Sequence, residues 1–296
     1  MRRVIRIKEF GTNIDRVLSP SEDYLSQTNG TIVGDSFRLR TDRNGFLFNP
    51  NMGWPTGDRV YILGDSFIEN SFIEEGGRLC DVMTKLDAER GRRRFLNCGY
   101  SGSTSLHLFN VLCNKVISDA DFSLVFVLPS NDIFSLRNEG GYWNDRDKRF
   151  SPIIPPVPGE VVLGDFTENL IQLKRMITAF VRMGAIHHFD LFLSTCPFVS
   201  SNFEELGWFR RRHRQVAVYE QLIEQRRSAN RVVREVAEAE DVPLIDLERI
   251  LADPTLFYDD VHVNLEGAAV TANSIISRLP STDDYQCHSK LLSSNK

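Results

Sequence analysis

Val60-Tyr61-Ile62-Leu63-Gly64-Asp65-Ser66 is the stretch of sequence that decides the fold of this chain. A short apolar run ends in Gly-Asp-Ser, and a segment with helical periodicity begins at Gly77. This succession is typical of a buried strand that leads into a helix. Open α/β sheets carry their chemistry at the carboxyl ends of their strands. The sequence therefore predicts that the Ser66 hydroxyl lies at a functional edge of a sheet.

Strand-like and helix-like segments alternate along the chain from residue 59 onward. The predicted strands cover residues 59–66, 95–98, 122–128, 189–195 and 243–247. The predicted helices cover residues 77–90, 103–117, 165–183, 212–240 and 265–278. The run at 122–128 is almost wholly apolar, as in strands that are covered on both faces. These patterns predict an α/β fold in which a parallel sheet lies between two layers of helices.

Composition and patterning divide the 296 residues into three regions. Residues 1–57 alternate short polar and apolar pieces, such as 30–33, 36–40 and 45–48, and predict a small β-rich N-terminal extension. Residues 58–280 form the main domain, and residues 281–296 form a polar tail that we expect to be disordered. Inside the main domain, the proline-containing stretch 137–160 reads as irregular, and loops of that length are often functional.

Charge and cysteine content exclude several classes of protein. The formal net charge of −5 gives no general attraction to nucleic acid or to an anionic membrane surface. No stretch approaches the ~18 uninterrupted apolar residues of a membrane span, and the first residues lack the apolar core of a signal peptide. The five cysteines are scattered and form no C-x-x-C pair, which argues against a disulfide framework or a structural zinc site. We expect a cytoplasmic protein.

Residues suited to nucleophilic catalysis follow several of the predicted strands. Asp259 and His262 are three positions apart just before the last predicted helix. Together with Ser66 they are the parts of a nucleophilic triad. Gly102 follows the second strand, where a residue without a side chain leaves its N–H accessible. Asn131 follows the third strand and offers a carboxamide donor for an oxyanion.

These segments, in this order, resemble the motifs of the SGNH/GDSL hydrolase family. The matching blocks are Gly64-Asp65-Ser66, Gly102, Asn131-Asp132 and Asp259-x-x-His262. The resemblance covers roughly residues 58–280. It implies a three-layer α/β/α sandwich with a flavodoxin-like parallel sheet of five strands, and a reaction that needs no metal or organic cofactor.

The resemblance also implies a role for each residue of the site. Ser66 would be the nucleophile, His262 the general base and Asp259 the residue that orients His262. The oxyanion hole would consist of the backbone N–H groups of Ser66 and Gly102 and the side-chain amide of Asn131.

Two other aspartates match the family's motifs, and two residues differ from them. Asp65 and Asp132 match positions that usually have structural, hydrogen-bonding roles in the family. Phe67 stands where the family has a leucine, and Pro129 stands where it has a glycine. Proline removes a backbone donor and restricts φ, so Pro129 bears on the geometry around Asn131.

Several remaining polar residues have simpler interpretations. We expect His107 to be structural or solvated, His213 to be solvated, and Asp260 to be a loop or capping residue. The basic runs 90–94 and 210–214 are interpreted as solvated helix ends, with an anion site as the alternative.

The favoured function is a serine esterase that removes a short acyl group, such as acetate, from a carbohydrate or a small ester. This substrate class rests on Trp143 and Trp208, aromatic rings in predicted loops that can stack on sugars, and on the loop 137–160. The alternatives are an acyltransferase for polysaccharide modification, a lipase or thioesterase for longer acyl chains, and a non-catalytic binding module. The expected partner is therefore a small-molecule or saccharide ester.

Overall fold

A computed structural model describes residues 4–280 of the chain except 55, 90, 92, 119–120, 155–156 and 202. The predicted polar tail, residues 281–296, lies outside the described residues. The strands are β1 (Val4–Ile5), β2 (Asp15–Leu18), β3 (Phe37–Arg40), β4 (Arg59–Leu63), β5 (Arg94–Asn97), β6 (Phe122–Val127), β7 (Ile153–Ile154), β8 (Asp190–Ser194) and β9 (Leu244–Ile245). The helices are α1 (Glu22–Ser26), α2 (Ser66–Glu69), α3 (Leu79–Asp87), α4 (Ser105–Val111), α5 (Asp132–Leu136), α6 (Phe166–His187), α7 (Gly207–His213), α8 (Val216–Ala239), α9 (Leu247–Ile250) and α10 (Leu265–Ile276). A π-helical turn, Leu112–Val116, continues α4, and 3₁₀ turns cover Gly141–Trp143 and Pro254–Leu256.

The central sheet has five parallel strands in the order β5-β4-β6-β8-β9. Counted along the chain, this is the 2-1-3-4-5 order of flavodoxin-like sheets, whose switch point lies between the first and third strands. Here those strands are β4 and β6. Ser66 follows β4 and Asn131 follows β6, so both residues lie at the edge where such sheets bind ligands.

The side chains of β4 alternate between two cores, as the pleat of a strand requires. Val60 and Ile62 face a core that they share with α3 and α10. Tyr61 and Leu63 face a second core that they share with α4 and α6. The helix α8 packs against α6 on that second side. Helices therefore cover both faces of the sheet, and the predicted three-layer α/β/α fold is confirmed.

The single helix predicted at 212–240 is wrong, because the chain forms two helices there. Arg214 has a φ of 61°, a left-handed conformation that interrupts the helical hydrogen bonds between α7 and α8. Residues 210–213 therefore lie on α7. The side chains of Arg212 and His213 are only 20% and 8% exposed, so the expectation that the whole run is a solvated helix end is wrong for these two residues.

The other basic run contains a second buried arginine. Arg93 donates through its side-chain Nε to Asp87 Oδ1 at 3.0 Å and through its backbone N–H to Asp87 Oδ2 at 2.7 Å. Its side chain is 6% exposed and that of Asp87 is fully buried. The interpretation as a solvated helix end is therefore also wrong for Arg93. Residues 90 and 92 of this run lie outside the described residues.

The N-terminal extension is β-rich, as predicted, and it is joined to the main domain. Strands β2 and β3 form an antiparallel pair. Strand β1 pairs antiparallel with β7, which lies inside the segment 137–160 that the sequence predicted to be irregular. Leu47 forms a single bridge to Asn97 of β5, whereas no strand forms at 30–33 or 45–48. The domain boundary at residue 57 stays a prediction.

In the described part of the chain the cysteines are free thiols, namely Cys80, Cys98, Cys113 and Cys196. No helix within it combines the length and the apolar character that crossing a membrane requires.

Candidate active site

Ser66 lies at a sharp turn where the backbone leaves β4 and enters α2. Glycine is needed at position 64 because a Cβ there would lie 2.2 Å from Ile68 Cγ1. Asp65 caps α2 by accepting a hydrogen bond from the Phe67 N–H at 3.0 Å. Ser66 is the first residue of α2 and is half-buried. Its backbone N–H therefore has no acceptor within the helix and is available to a ligand.

The loop after β6 is tied to this turn through Asp65. Its Oδ2 accepts hydrogen bonds from Ser130 Oγ and from Asn131 Nδ2, each at 2.8 Å. Because an amide nitrogen carries two hydrogens, Asn131 keeps one N–H for another acceptor. The loop accommodates Pro129, whose carbonyl accepts from the Asp132 N–H at 3.2 Å and closes the turn that carries Asn131.

Gly102 occupies the loop after β5 with a φ of +78°, a conformation that favours glycine. Lys8 Nζ donates to the Gly102 carbonyl oxygen at 2.5 Å. On the other side of the glycine, the Ser101 N–H donates to the Glu69 carboxylate. The N–H of Gly102 donates to no group among the described residues. Like that of Ser66, it is available to a ligand.

Asp132 connects the loop of Gly102 with the loop of Asn131. Its Oδ1 accepts from the Ser105 N–H at 2.8 Å, and its Oδ2 accepts from Ser105 Oγ. Burial raises the pKa of Asp132 to about 7. Asp132 is fully buried, so its contacts hold the start of α4 against the start of α5.

Asp259 and His262 form a hydrogen-bonded pair on the loop before α10. His262 Nδ1 lies 2.7 Å from Asp259 Oδ2. Asp259 Oδ1 accepts from the backbone N–H groups of Val261 and His262 at 2.9 Å and 2.7 Å. When Nδ1 carries the proton shared with Asp259, the other ring nitrogen, Nε2, is left as a proton acceptor.

Charged and polar neighbours keep Asp259 ionised although it is fully buried. Tyr24 donates its hydroxyl hydrogen to Asp259 Oδ2 at 2.8 Å, and Arg212 Nη2 lies 3.3 Å from the same oxygen. Burial opposes ionisation, but His262 and Arg212 hold the pKa of Asp259 well below its ordinary value.

His262 responds to the same charges. Burial alone would lower its pKa, but the charge of Asp259 and the hydrogen bond to it outweigh burial and raise the pKa above its ordinary value. The ring of Tyr258 stacks on that of His262 with a centroid separation of 5.5 Å. Within the described residues, Ser66 Oγ makes no hydrogen bond to His262. Such bonds are often long or poorly aligned before a substrate is bound.

The structure adds to one expectation beside this pair and corrects another. Asp260 lies on a loop, as expected, but it is buried and its Oδ2 lies 2.7 Å from Arg226 Nη2. It also forms an ion pair with Arg212. His213, expected to be solvated, lies 3.7 Å from Asp260 Oδ2. The sequence did contain a signal, because two adjacent acids in an apolar stretch require cations, but it did not indicate which arginines supply them.

Sequence patterns did not single out Tyr24 or Lys8. Both belong to the N-terminal extension, and both donate hydrogen bonds to residues that the sequence assigned to the site. Their neighbours in sequence show no motif. Only the folded chain brings them to Asp259 and Gly102.

Of the two tryptophans that the sequence predicted to lie on loops, one is buried and the other is exposed. Trp208 is not on a loop but on α7, where it is 7% exposed and its ring lies 4.2 Å from that of Phe209, centroid to centroid. It therefore cannot stack on a sugar. Trp143 is 61% exposed in a 3₁₀ turn. His107 is structural, since its buried Nδ1 accepts from the Thr104 N–H at 3.2 Å.

The described residues contain no group of three or more His, Cys, Asp and Glu side chains placed to hold a metal ion.

Comparison with known families gives a match between residues 62–270 and the model of the GDSL-like Lipase/Acylhydrolase family. The chain belongs to this family. As a GDSL-like acylhydrolase it is an ester hydrolase. No curated protein sequence matches the chain significantly.

Solved structures of similar fold include other ester hydrolases. An acetyl xylan esterase has a TM-score of 0.54 and 14% identity, over 75% of this chain and 100% of that one. A variant of an acetyl xylan esterase from Geobacillus stearothermophilus has a TM-score of 0.50 and 16% identity, over 75% and 94% of the two chains. A lipase/acylhydrolase from Enterococcus faecalis has a TM-score of 0.50 and 15% identity, over 74% and 94%. At these identities the likeness concerns the fold of this GDSL-like acylhydrolase.

Proposed function

We propose that this GDSL-like acylhydrolase is a serine esterase that removes a short acyl group, such as acetate, from a saccharide or a small ester. Ser66 is the nucleophile, His262 is the general base and Asp259 orients His262. The observation that carries this proposal is the 2.7 Å hydrogen bond between Asp259 and His262, on a loop that follows the last strand of a sheet whose first strand leads to Ser66.

The first half of the reaction forms an acyl-enzyme. Ser66 Oγ attacks the carbonyl carbon of the ester while His262 Nε2 accepts the hydroxyl proton. The carbonyl oxygen becomes an oxyanion, which the N–H groups of Ser66 and Gly102 and the free N–H of Asn131 stabilise. The bond to the leaving oxygen then breaks, and His262 returns the proton to that oxygen, so that the alcohol departs.

The second half of the reaction restores the enzyme. A water molecule gives a proton to His262 and attacks the acyl carbon of the acyl-enzyme. The oxyanion forms again in the same hole, the bond to Ser66 Oγ breaks, and His262 protonates the serine. The products are the free acid and the unmodified enzyme.

Two observations support the choice of a short acyl group on a saccharide. Two proteins of similar fold are named as acetyl xylan esterases. Trp143 is 61% exposed on the segment that follows α5, and an exposed indole ring is suited to stack on a sugar face. Trp208 does not support this choice, because its ring is buried.

Labelling with a fluorophosphonate tests the nucleophile directly. We expect covalent labelling of the wild-type protein at Ser66, no labelling of Ser66→Ala, and loss of p-nitrophenyl acetate hydrolysis by more than about 10³-fold in that variant. Ser101→Ala, a change in the neighbouring loop, serves as the control and should keep both labelling and turnover. Undiminished hydrolysis by Ser66→Ala would contradict the proposed mechanism.

A series of p-nitrophenyl esters of increasing chain length tests the substrate class. We expect kcat/KM to be highest for acetate and to fall for the octanoate and dodecanoate esters. A preference for the long esters would instead indicate a lipase or a thioesterase. Addition of sugar acceptors distinguishes hydrolysis from transfer, since an acyltransferase would give acylated sugar in place of free acid.

A further inference from the structure

We propose that Tyr24 and Arg212 are positioning residues of the active site, which bind the Asp259 carboxylate and balance the negative charge that it presents to His262. This inference rests on the proposed catalytic roles of Asp259 and His262. It assigns a function to the N-terminal extension, because Tyr24 lies before the first residue of the family match, residue 62.

Both oxygens of Asp259 are occupied by donors. Oδ1 accepts the two backbone N–H groups of its own turn. Oδ2 accepts from His262 Nδ1 at 2.7 Å and from the Tyr24 hydroxyl at 2.8 Å, and it faces Arg212 Nη2 at 3.3 Å. A carboxylate offers about four lone-pair sites, so Asp259 cannot rotate without losing hydrogen bonds in a fully buried setting.

The segment that carries Tyr24 is docked on the backbone just before Asp259. The Asn29 N–H donates to the Tyr258 carbonyl at 2.9 Å, and Asn29 Nδ2 donates to the Phe257 carbonyl at 2.5 Å. The ring of Tyr24 also packs against that of Phe72, with centroids 5.2 Å apart. These contacts explain how a residue of α1 reaches a carboxylate that is 235 positions away in the sequence.

Arg212 contacts two adjacent buried carboxylates and so also reduces the repulsion between them. It lies beside Asp259 Oδ2 and forms an ion pair with Asp260. Asp260 is held by Arg226 as well, at 2.7 Å. Without Arg212, the negative charges of Asp259 and Asp260 would repel each other in a medium of low dielectric constant. Arg212 thus keeps the carboxylate that faces His262 both charged and in place.

The arrangement has a consequence for the basicity of His262. The charged groups that act on its ring are Asp259 on its own loop, Arg212 from α7 and Asp65 after β4, and the ring of Tyr258 stacks on it. Tyr24 and Asp260 act through Asp259. Arg212 lowers the pKa of His262, and the Tyr24 hydrogen bond withdraws charge from Asp259 Oδ2. Removal of either donor therefore raises the pKa of His262.

The test compares Tyr24→Phe and Arg212→Gln with the milder Arg212→Lys, which keeps a positive charge. Arg210→Gln, on the exposed face of the same helix, is the control. The readouts are the pKa of the His262 imidazole by NMR and the pH profile of kcat/KM for p-nitrophenyl acetate. We expect the pKa and the acid limb of the profile to move upward by about one unit in Arg212→Gln, by less in Tyr24→Phe and Arg212→Lys, and not at all in Arg210→Gln.

The outcomes separate this inference from the proposed function. The NMR readout requires no turnover, so it reports on the Asp259 environment even if the fluorophosphonate fails to label Ser66. Tyr24→Phe and Arg212→Lys keep the test valid if Arg212→Gln does not fold. An unchanged pKa of His262 and an unchanged pH profile in Tyr24→Phe and Arg212→Lys would overturn the inference, since a purely structural role would alter stability and leave both readouts in place.

Discussion

Asn131 Nδ2 donates a hydrogen bond to Asp65 Oδ2 at 2.8 Å, and this bond joins the loop after β6 to the turn that carries Ser66. Two residues that the family resemblance assigns to different motifs thus form one unit. The unit orients the amide of Asn131 through a neighbour that is itself 2% exposed. Because Asp65 also caps α2, a single carboxylate positions both sides of the proposed oxyanion hole.

Replacement of Asp65 should therefore impair catalysis as well as stability. In Asp65→Ala, the Phe67 N–H, Ser130 Oγ and Asn131 Nδ2 lose their acceptor, so we expect the free energy of unfolding to fall by about 1–3 kcal/mol. We also expect kcat to fall about tenfold or more with little change in KM, since Asn131 acts mainly on the transition state. Urea denaturation and steady-state kinetics measure the two effects.

Asp165→Ala is the matched control for this change. Asp165 is an exposed cap of α6 that accepts from two backbone N–H groups. Its loss should cost about 1 kcal/mol of stability and leave kcat unchanged. A normal kcat in Asp65→Ala would show that Asn131 does not depend on Asp65.

Alanine at position 102 should disturb the oxyanion hole in two ways. Its Cβ would lie 2.8 Å from Lys8 Nζ, and the positive φ disfavours any side chain. We expect kcat in Gly102→Ala to fall about 10–100-fold, because small displacements of groups that bind the transition state are costly. Gly30→Ala is the control, since Gly30 has a φ of +85° and open space around it. Equal kinetics in the two variants would contradict a role for Gly102.

Lys8 should make the stability of the protein depend on pH above neutrality. Burial lowers the pKa of Lys8 to about 8, from an ordinary value of 10.5. Between these two values the unfolded chain binds more protons at this residue than the folded chain does, so this contribution to stability rises with pH. Below pH 8 the lysine is charged in both states and the full cost of burying the charge remains.

The measurement is the free energy of unfolding of the wild-type protein minus that of Lys8→Met, determined in urea over this pH range. We expect the difference to increase as the pH rises. Lys85→Met, at an exposed lysine that contacts the Gly76 carbonyl, is the control for replacing a lysine by methionine. A constant difference for Lys8→Met would show that Lys8 keeps its ordinary pKa when the chain folds.

The buried pair of Arg93 and Asp87 should matter for stability alone. In Arg93→Gln, the Asp87 carboxylate stays buried without its counter-charge, and we expect the free energy of unfolding to fall by about 3–5 kcal/mol. Arg38→Gln breaks an ion pair with Asp15 whose side chains are about half exposed, and it should leave stability almost unchanged. Thermal unfolding compares the two variants. A similar melting temperature for both would show that the Arg93 pair contributes no more than a surface pair.

Much of the site was predictable from the sequence because its parts interact locally or end a recognisable strand. Asp259 binds the N–H groups and the imidazole of residues two and three positions later, which a three-residue spacing makes possible. Ser66 and Asn131 each follow an apolar strand, and parallel strands bring their carboxyl ends to one edge. The hydrogen bond that joins Asp65 to Asn131 is a consequence of this order of strands.

Other features depended on contacts that no local pattern records. The basic run at 210–214 looks like a solvated helix end, but the Arg212 side chain lies beside the buried Asp259 and Asp260. Trp208 lies in a segment without clear periodicity, yet it is buried against Phe209. Whether such a residue is exposed depends on which helix covers it, and that is a property of distant segments.

The alternation of apolar strands and amphipathic helices was sufficient for the α/β fold, and the order of short motifs at the strand ends was sufficient for the family and for its proposed triad. These signals arise from periodicity and from neighbours within a few residues, so they can be recognised in the sequence alone. The donors that surround Asp259 and Gly102 come from Tyr24, Arg212 and Lys8, across separations of up to 235 residues. Their placement followed from the packing of the N-terminal extension and α7 onto the sheet edge, because a buried carboxylate or carbonyl is satisfied by whichever donor the folded surfaces bring to it.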